Sequence, residues 1–381
     1  MIRTMAVVGT GLIGTSVALA ASARGVTVFL SDRDPVAART AAALGAGLAK
    51  PPPAPVDLAV LAVPPSQVAG ALLELQERRS ARYYTDVASV KAEAEQVVLR
   101  RAPEPFRFVG GHPMAGREWS GPMAARGDLL RGRTWALTPS PVTSEGALER
   151  ALELVSLCGA VPVVTRSAAH DGAVALTSHV PHLLASLMAA RLRESTAGMR
   201  RFAGPGVRDV TRIARGDSRL WGDILRSNAG SVVGVAREVQ ADLARLVTAL
   251  EALADPEGPG RDEGMRVLVD VLDRGITGVE RLAESGPGAA AGSAPRGEPP
   301  EVWVAVRERP GELARLLALL GDRVAAETVS VGADGPTGLR ARFAVPPECV
   351  DALLDRLAAG GWSAGRAERG EAARLTAWSG G

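Results

Sequence analysis

Residues 109–122 read VGGHPMAGREWSGP, and His112 within them is one of only four histidines in 381 residues. An imidazole with an ordinary pKa of about 6.5 can accept a proton near neutral pH. A histidine set just after an apolar run, behind two glycines and ahead of a proline, is therefore a candidate general base. A second group of residues opens the chain. VVGTGLIGTS spaces Gly9, Gly11 and Gly14 as Gly-x-Gly-x-x-Gly, with Thr10, Leu12 and Ile13 between them, after an apolar run and before an apolar helical pattern. Gly9 permits a tight turn, Gly11 lets the backbone approach a pyrophosphate, and Gly14 allows close helix–strand packing. The helix N-terminus then offers free N–H groups to phosphate. The second apolar run, VTVFLSD, ends in Asp32. A carboxylate there accepts hydrogen bonds from the adenine ribose and repels a 2′-phosphate, which makes NAD the expected cofactor. Arg33, beside it, could pair with that phosphate and is the one feature pointing toward NADP.

The other histidines are His170, His179 and His182. The last two lie in TSHVPHLL, with Ser178 four residues before His182 and so on one face of a regular helix. A His-x-x-His pair without a nearby glutamate or cysteine is not a zinc pattern, so no metal is expected. His170, followed by Asp171, reads as a core or capping residue rather than a catalytic one.

Those residues need a scaffold. Apolar runs at 6–9, 26–30, 57–63, 82–87 and 106–110 alternate with helical patterns at 12–24, 35–45, 66–79 and 90–101. Continuous apolar strands separated by helices imply an α/β, Rossmann-type doubly wound parallel sheet covered on both faces. Further strands are expected at 134–139 and near 161–164. Ligands in such sheets sit beyond the carboxyl ends of the strands. Val63, Pro64 and Ser66, the DVASVK segment at 86–91 and His112 should therefore line one crevice. From about 165 the strand patterns stop. Val232, Val235, Val239, Leu243, Leu246, Leu250 and Leu253 form one apolar helical stripe, and Val267, Leu268, Val271, Leu272, Ile276, Val279 and Leu282 a second. Stripes this long predict an all-α layer that serves as a dimerisation surface. The Gly-, Pro-, Ala- and Ser-rich stretch 285–300 reads as a linker. Beyond it a β-α-β-β-α-β pattern predicts a small α+β, ferredoxin-like domain. The expected domains are thus 1–164, 165–285 and 301–370, with a linker at 286–300.

The 44 basic residues nearly balance the 42 acidic ones, which argues against nucleic acid or an anionic membrane as partner. Only Lys50 and Lys91 are lysines. No uninterrupted apolar run approaches the roughly 18–20 residues that cross a bilayer. MIRTMAVVGTG enters a strand pattern without a cleavable leader, so a cytoplasmic location is expected. Cys158 and Cys349 are too few for a disulfide framework and read as small buried hydrophobes.

Taken in order, GTGLIGTS, AVPP, TDVASVK, GGHPMAG, SHVPH and DVTRIA resemble the prephenate/arogenate dehydrogenase family of tyrosine biosynthesis over about residues 1–285. The resemblance implies NAD-dependent oxidative decarboxylation of a cyclohexadiene. It makes His112 the proton acceptor and Ser89 the cofactor-side residue that hydrogen-bonds and orients it. It makes Arg212 the cation for the substrate carboxylate, and Ser178 and His182 substrate-side polar groups. Arg117 and Glu118, after GHPMAG, fall where prephenate, arogenate or an amino-substituted prephenate would be distinguished. VRERPGELARLL looks like the start of an ACT domain, which implies an amino-acid effector such as tyrosine near Gly311. Two other readings are weighed. β-Hydroxyacid dehydrogenases use a lysine of the second domain, and none exists here beyond Lys91. A non-catalytic NAD- and amino-acid-sensing protein would have no need to keep His112, Ser89 and Arg212 together.

Overall fold

The computed structural model describes residues 1–115, 121–284, 300–307, 312–320, 330–333, 338–345 and 349–367. They fall into two units, Met1–Ala289 and Ala290–Gly381. In the first, β1 (Thr4–Val8), β2 (Thr27–Ser31), β3 (Val56–Leu61), β4 (Ala81–Asp86), β5 (Phe108–Pro113), β6 (Thr134–Thr138) and β7 (Val161–Val164) form one sheet. The helices between them are α1 (Leu12–Ser22), α2 (Pro35–Ala43), α3 (Pro65–Glu77), α4 (Ala92–Arg101) and α5 (Glu145–Leu157). The sheet order is β2-β1-β3-β4-β5-β6-β7. The chain runs outward from β1 to β2 and returns to β3 on the other side of β1. That reversal opens a crevice at the carboxyl ends of β1 and β3. Met5, Val7, Leu58 and Trp135 are buried on one face of the sheet, and Ala59, Leu61, Leu72 and Tyr84 on the other.

The sheet is parallel over the runs from which a parallel sheet was expected and changes direction beyond them. β1 to β5 are parallel, but β6 is antiparallel to β5, and β7 is parallel to β6. A parallel neighbour needs a crossover, usually a helix. Among the described residues between β5 and β6, the only helical piece is a short turn at Pro122–Ala124, so the chain doubles back.

Two of the loop glycines have a steric cause. Gly9 has φ +97°, and a Cβ there would lie 2.2 Å from the Ala62 carbonyl oxygen. A Cβ on Gly14 would lie 2.0 Å from the Gly9 carbonyl oxygen. The glycines before His112 are equally constrained. A Cβ on Gly110 would approach Thr138 Oγ1 to 2.3 Å, and one on Gly111 the Asp86 carbonyl oxygen to 2.6 Å.

After β7 the unit is helical. α6 (Ser167–Val174) runs through a π turn, Ala175–His179, into α7 (Val180–Arg193). Pro181 has no N–H to give, and the Val180 N–H reaches back to the Ala175 carbonyl; the ladder therefore slips by one residue. This continuous 27-residue helical run is long and apolar enough to cross a bilayer by length and composition. Its polar residues His170, Asp171, His179 and His182 are buried, while Leu176, Leu184, Leu187 and Met188 are exposed. Short helices α8 (Ala197–Arg200), α9 (Pro205–Arg212) and α10 (Ser218–Ser227) lead to the hairpin of α11 (Ala229–Ala254) and α12 (Arg261–Glu284). The first stripe divides. Val232 packs with Ala175 and Val180, whereas Leu243 and Leu250 are exposed, as are Leu272, Ile276, Val279 and Leu282 of the second.

The second unit comprises β8 (Glu301–Arg307), α13 (Glu312–Leu320), β9 (Ser330–Ala333), β10 (Gly338–Ala344), α14 (Val350–Ala359) and β11 (Ala364–Arg366). Its antiparallel sheet has the order β11-β8-β10-β9, the ferredoxin-like arrangement expected. Val304, Phe343, Leu316 and Leu357 form its core. Gly311 lies outside the described residues. Cys158 is buried and Cys349 half-buried, both free; burial pushes the Cys158 thiol up to about 12.

The crowding at Gly110 predicts that Gly110→Ala costs about 1–3 kcal/mol, the usual effect of overpacking. Thermal denaturation should show a Tm lowered by several degrees; an unchanged Tm would contradict the close approach of β5 to Thr138.

Candidate active site

The nucleotide-side residues gather as expected at the carboxyl ends of β1 and β2. The N-terminus of α1 has no side-chain cap, and nothing lies within 4 Å of where a Gly11 Cβ would stand. The loop thus presents uncapped N–H groups to open space, as a pyrophosphate requires. Asp32 organises it. Its Oδ2 accepts from the Thr10 N–H at 2.6 Å and the Thr10 hydroxyl at 3.0 Å, and its Oδ1 from the Asp34 N–H at 2.9 Å. A carboxylate has about four acceptor positions, so one is left for a ribose hydroxyl. Arg33 is exposed. These residues fit a dinucleotide. Val63 and Pro64 follow β3, and Pro64 stands just before α3. The Ser66 N–H donates to Asp223 of α10 at 3.1 Å, tying the helical layer to this edge of the sheet.

His112 lies on β5 and is half-buried. Three contacts fix the backbone before it. Asp86, at the end of β4, accepts the Gly111 N–H at 2.8 Å. Lys91 is buried, ion-pairs with Asp86 and donates to the Gly111 carbonyl at 2.7 Å. Burial pushes the Lys91 ammonium pKa down, with Asp86 pulling the other way. His112 Nδ1 is 2.9 Å from His170 Nε2 on α6, and His170 Nδ1 is 2.8 Å from Asp171 Oδ1. Asp171 also accepts the Lys91 N–H at 2.9 Å and the Ala92 N–H at 2.8 Å, so its carboxylate serves the N-terminus of α4 as a capping side chain would. Burial pushes the His112 pKa well below its ordinary value, helped by the neighbouring His170, Lys91 and His179.

His170 and Asp171 are buried and Asp171 caps α4, as the core or capping reading expects, and His170 also reaches His112. One expectation is corrected. The hydrogen bond expected from Ser89 to His112 is absent: Ser89 lies between β4 and α4, half-buried, and its hydroxyl has no hydrogen-bond partner among the described residues. His170 occupies Nδ1 instead.

On the helical side, His182 stacks on Trp221 with ring centroids 3.5 Å apart, and His179 meets the same indole edge-on at 6.1 Å. Burial lowers the pKa of both imidazoles. The Asn228 amide donates to the Asp171 carbonyl at 2.8 Å and lies 3.1 Å from His179 Nδ1. Ser178 and His182 do not share a face in the way a regular helix would give. The π turn intervenes, leaving Ser178 exposed and His182 buried. Arg212 is exposed at the last residue of α9, beyond which the chain turns at Ile213–Arg215. Arg117 and Glu118 lie outside the described residues. Sequence reasoning missed Trp221, Asp223 and Asn228; nothing in their spacing marks them, because the contacts that bring them here, to His182, Ser66 and Asp171, span 39 to 157 residues of chain.

Comparison with known proteins places the sequence and its fold among others. The prephenate dehydrogenase nucleotide-binding domain model matches residues 16–164, and the prephenate dehydrogenase dimerization domain model matches 166–261. A probable prephenate dehydrogenase of Streptomyces niveus is 44% identical over 315 residues, covering 82% of this chain and 85% of that protein. The prephenate dehydrogenase of Bacillus subtilis is 31% identical over 247 residues, covering 60% of this chain and 65% of that one. The crystal structure of prephenate dehydrogenase from A. aeolicus with hydroxyphenyl propionate and NAD+ superposes with a TM-score of 0.63 at 25% identity, covering 73% of this chain and 98% of that one. The chain belongs to the prephenate dehydrogenase family.

Proposed function

We propose that this chain is an NAD-dependent prephenate dehydrogenase that converts prephenate to 4-hydroxyphenylpyruvate, with the cytoplasmic location expected from its sequence. The observation that carries the reading is His112 at the carboxyl edge of the sheet, with Nδ1 engaged by His170 and Nε2 without a partner among the described residues. A bound NAD would supply the acceptor for the hydride on the ring carbon that bears the hydroxyl. As that carbon gains carbonyl character its hydroxyl becomes more acidic, and His112 Nε2 accepts the proton. The bond to the ring carboxylate breaks, carbon dioxide leaves, and the electron pair completes the aromatic ring. The proton then returns to the phenolic oxygen. One hydride is transferred and no net proton is released. Arg212 holds the ring carboxylate, since a guanidinium pairs with it in bidentate fashion. Ser89 lies on the cofactor side, and Ser178 and His182 on the substrate side.

The test is a matrix of prephenate and arogenate, each with NAD and NADP, followed by reduced-nicotinamide absorbance. Prephenate with NAD should be fastest, because the Asp32 charge disfavours a 2′-phosphate. A preference for arogenate would reassign the substrate. His112→Asn should lower kcat by about 10²–10⁴-fold, as loss of a positioned proton acceptor does. Arg212→Ala should chiefly raise KM for prephenate. Normal turnover by His112→Asn would overturn the assignment of the base.

The depressed His112 pKa fixes a pH dependence. The neutral imidazole, which is the acceptor, persists to lower pH than a free histidine allows. The acidic limb of kcat/KM should therefore lie below pH 6.5, with activity falling as pH drops through the lowered pKa. A limb above 6.5 would contradict this.

The exposed stripe of Leu272, Ile276, Val279 and Leu282 supports a homodimer, and the ferredoxin-like unit supports an ACT-like role with tyrosine as effector. Light scattering of the full chain should give twice the monomer mass, and Ile276→Glu should shift it toward the monomer. Tyrosine should inhibit the full chain but not a chain ending at residue 285. A monomeric full chain, or inhibition that survives truncation, would reject the corresponding assignment.

A further inference from the structure

We propose that Asp171 and His170 are positioning residues that fix the tautomer of His112, holding its proton on Nδ1 and keeping Nε2 bare for the substrate hydroxyl. The inference rests on the reading of His112 as the base, and it begins at the other end of the hydrogen-bond chain. Both Asp171 oxygens already receive backbone N–H groups, from Lys91 and Ala92. A carboxylate that collects donors in this way is an acceptor, so the hydrogen between Asp171 and His170 belongs to His170 Nδ1. Neutral imidazole carries one such hydrogen, which leaves His170 Nε2 a lone pair. The only hydrogen that can fill the 2.9 Å contact between the rings is then the one on His112 Nδ1. His112 Nε2 is left as the acceptor.

The surroundings keep the chain in this sense. His170 and Asp171 are both buried, so water does not compete for Nδ1. Asn228 anchors the same turn through the Asp171 carbonyl. Lys91 cannot supply a competing proton to the ring, because its ammonium is held by Asp86 and the Gly111 carbonyl. The same chain favours the protonated base during turnover. When Nε2 takes the hydroxyl proton, the added charge on His112 is shared through a strengthened Nδ1–H bond to His170, whose own Nδ1–H faces the Asp171 carboxylate. An unconstrained neutral imidazole populates both tautomers, and the one with hydrogen on Nε2 cannot accept the proton.

The test uses the full chain with 15N-labelled histidine, tractable because there are four histidines. In the resting wild-type protein at pH 7.5, His112 should show a protonated Nδ1 and an unprotonated Nε2. In His170→Leu that signature should give way to a mixture of tautomers, and kcat should fall about 10- to 1000-fold with KM for NAD unchanged. His170→Gln, which can place an amide oxygen where Nε2 stood, should recover part of the loss. Asp171→Asn can instead donate to His170 and reverse the chain. It should lower kcat further, as the comparable substitution in serine proteases does by about 10⁴-fold. A protonated Nε2 in the wild-type spectrum, or a His170→Leu variant with unchanged kcat, would overturn the proposal. The spectrum reads the resting protein and needs no turnover. A wild-type protein with the stated tautomer that fails to oxidise prephenate would reject the functional reading while leaving the hydrogen-bond chain in place.

Discussion

The Asp171 carboxylate joins two parts of the first unit that have no covalent reason to stay in register. It comes from α6, in the helical layer, and accepts the first amides of α4, in the sheet layer, while its neighbour His170 reaches across to His112 on β5. Losing a helix-capping side chain costs about 0.5–2 kcal/mol. In the proposed hydrogen-bond chain the same acceptor also sets which nitrogen of His112 is free. Under that proposal, stability at the junction and readiness for chemistry depend on one side chain.

Around that contact, the site is made rigid by groups that do no chemistry. Lys91 and Asp86 are fully buried and satisfied by one another and by the Gly111 backbone, where no side chain fits. An unpaired buried charge would cost several kcal/mol, so the pair is stable only in the arrangement that also sets the start of His112. On the far side, His182 and His179 are held against Trp221 and Asn228 by a helix whose register Pro181 has displaced. The reaction needs little bond-breaking power from the protein. It needs hydroxyl, carboxylate and hydride held in fixed directions, and rigid elements supply that.

Much of this was legible in the sequence because it depends on local rules. Alternating apolar runs and helical patterns located β1 to β5, and the glycine spacing located the nucleotide loop, since both reflect constraints within about 30 residues. The direction of β6 was not legible, because it depends on there being no crossover helix among the described residues before it rather than on the strand itself. The role of His170 was hidden for a different reason. His112 is 58 residues from His170, and the α4 amides that bond its neighbour Asp171 are 79 and 80 residues from that carboxylate; a His-Asp dipeptide in an apolar helix looks the same whether it caps, packs or relays. The π turn also escaped notice, although Pro181 was visible, because a proline inside a helical pattern more often ends the helix than slips its ladder.

The central claim is geometric: the substrate oxygen meets His112 at Nε2 while His170 keeps Nδ1. A crystal structure of the full chain with NAD and a 4-hydroxyphenyl product analogue tests it most directly. The account predicts the phenolic oxygen within about 3 Å of His112 Nε2, the His112–His170–Asp171 contacts unchanged, and the analogue's ring over the nicotinamide. A phenolic oxygen bound to any other group, with His112 turned out of the crevice, would contradict it.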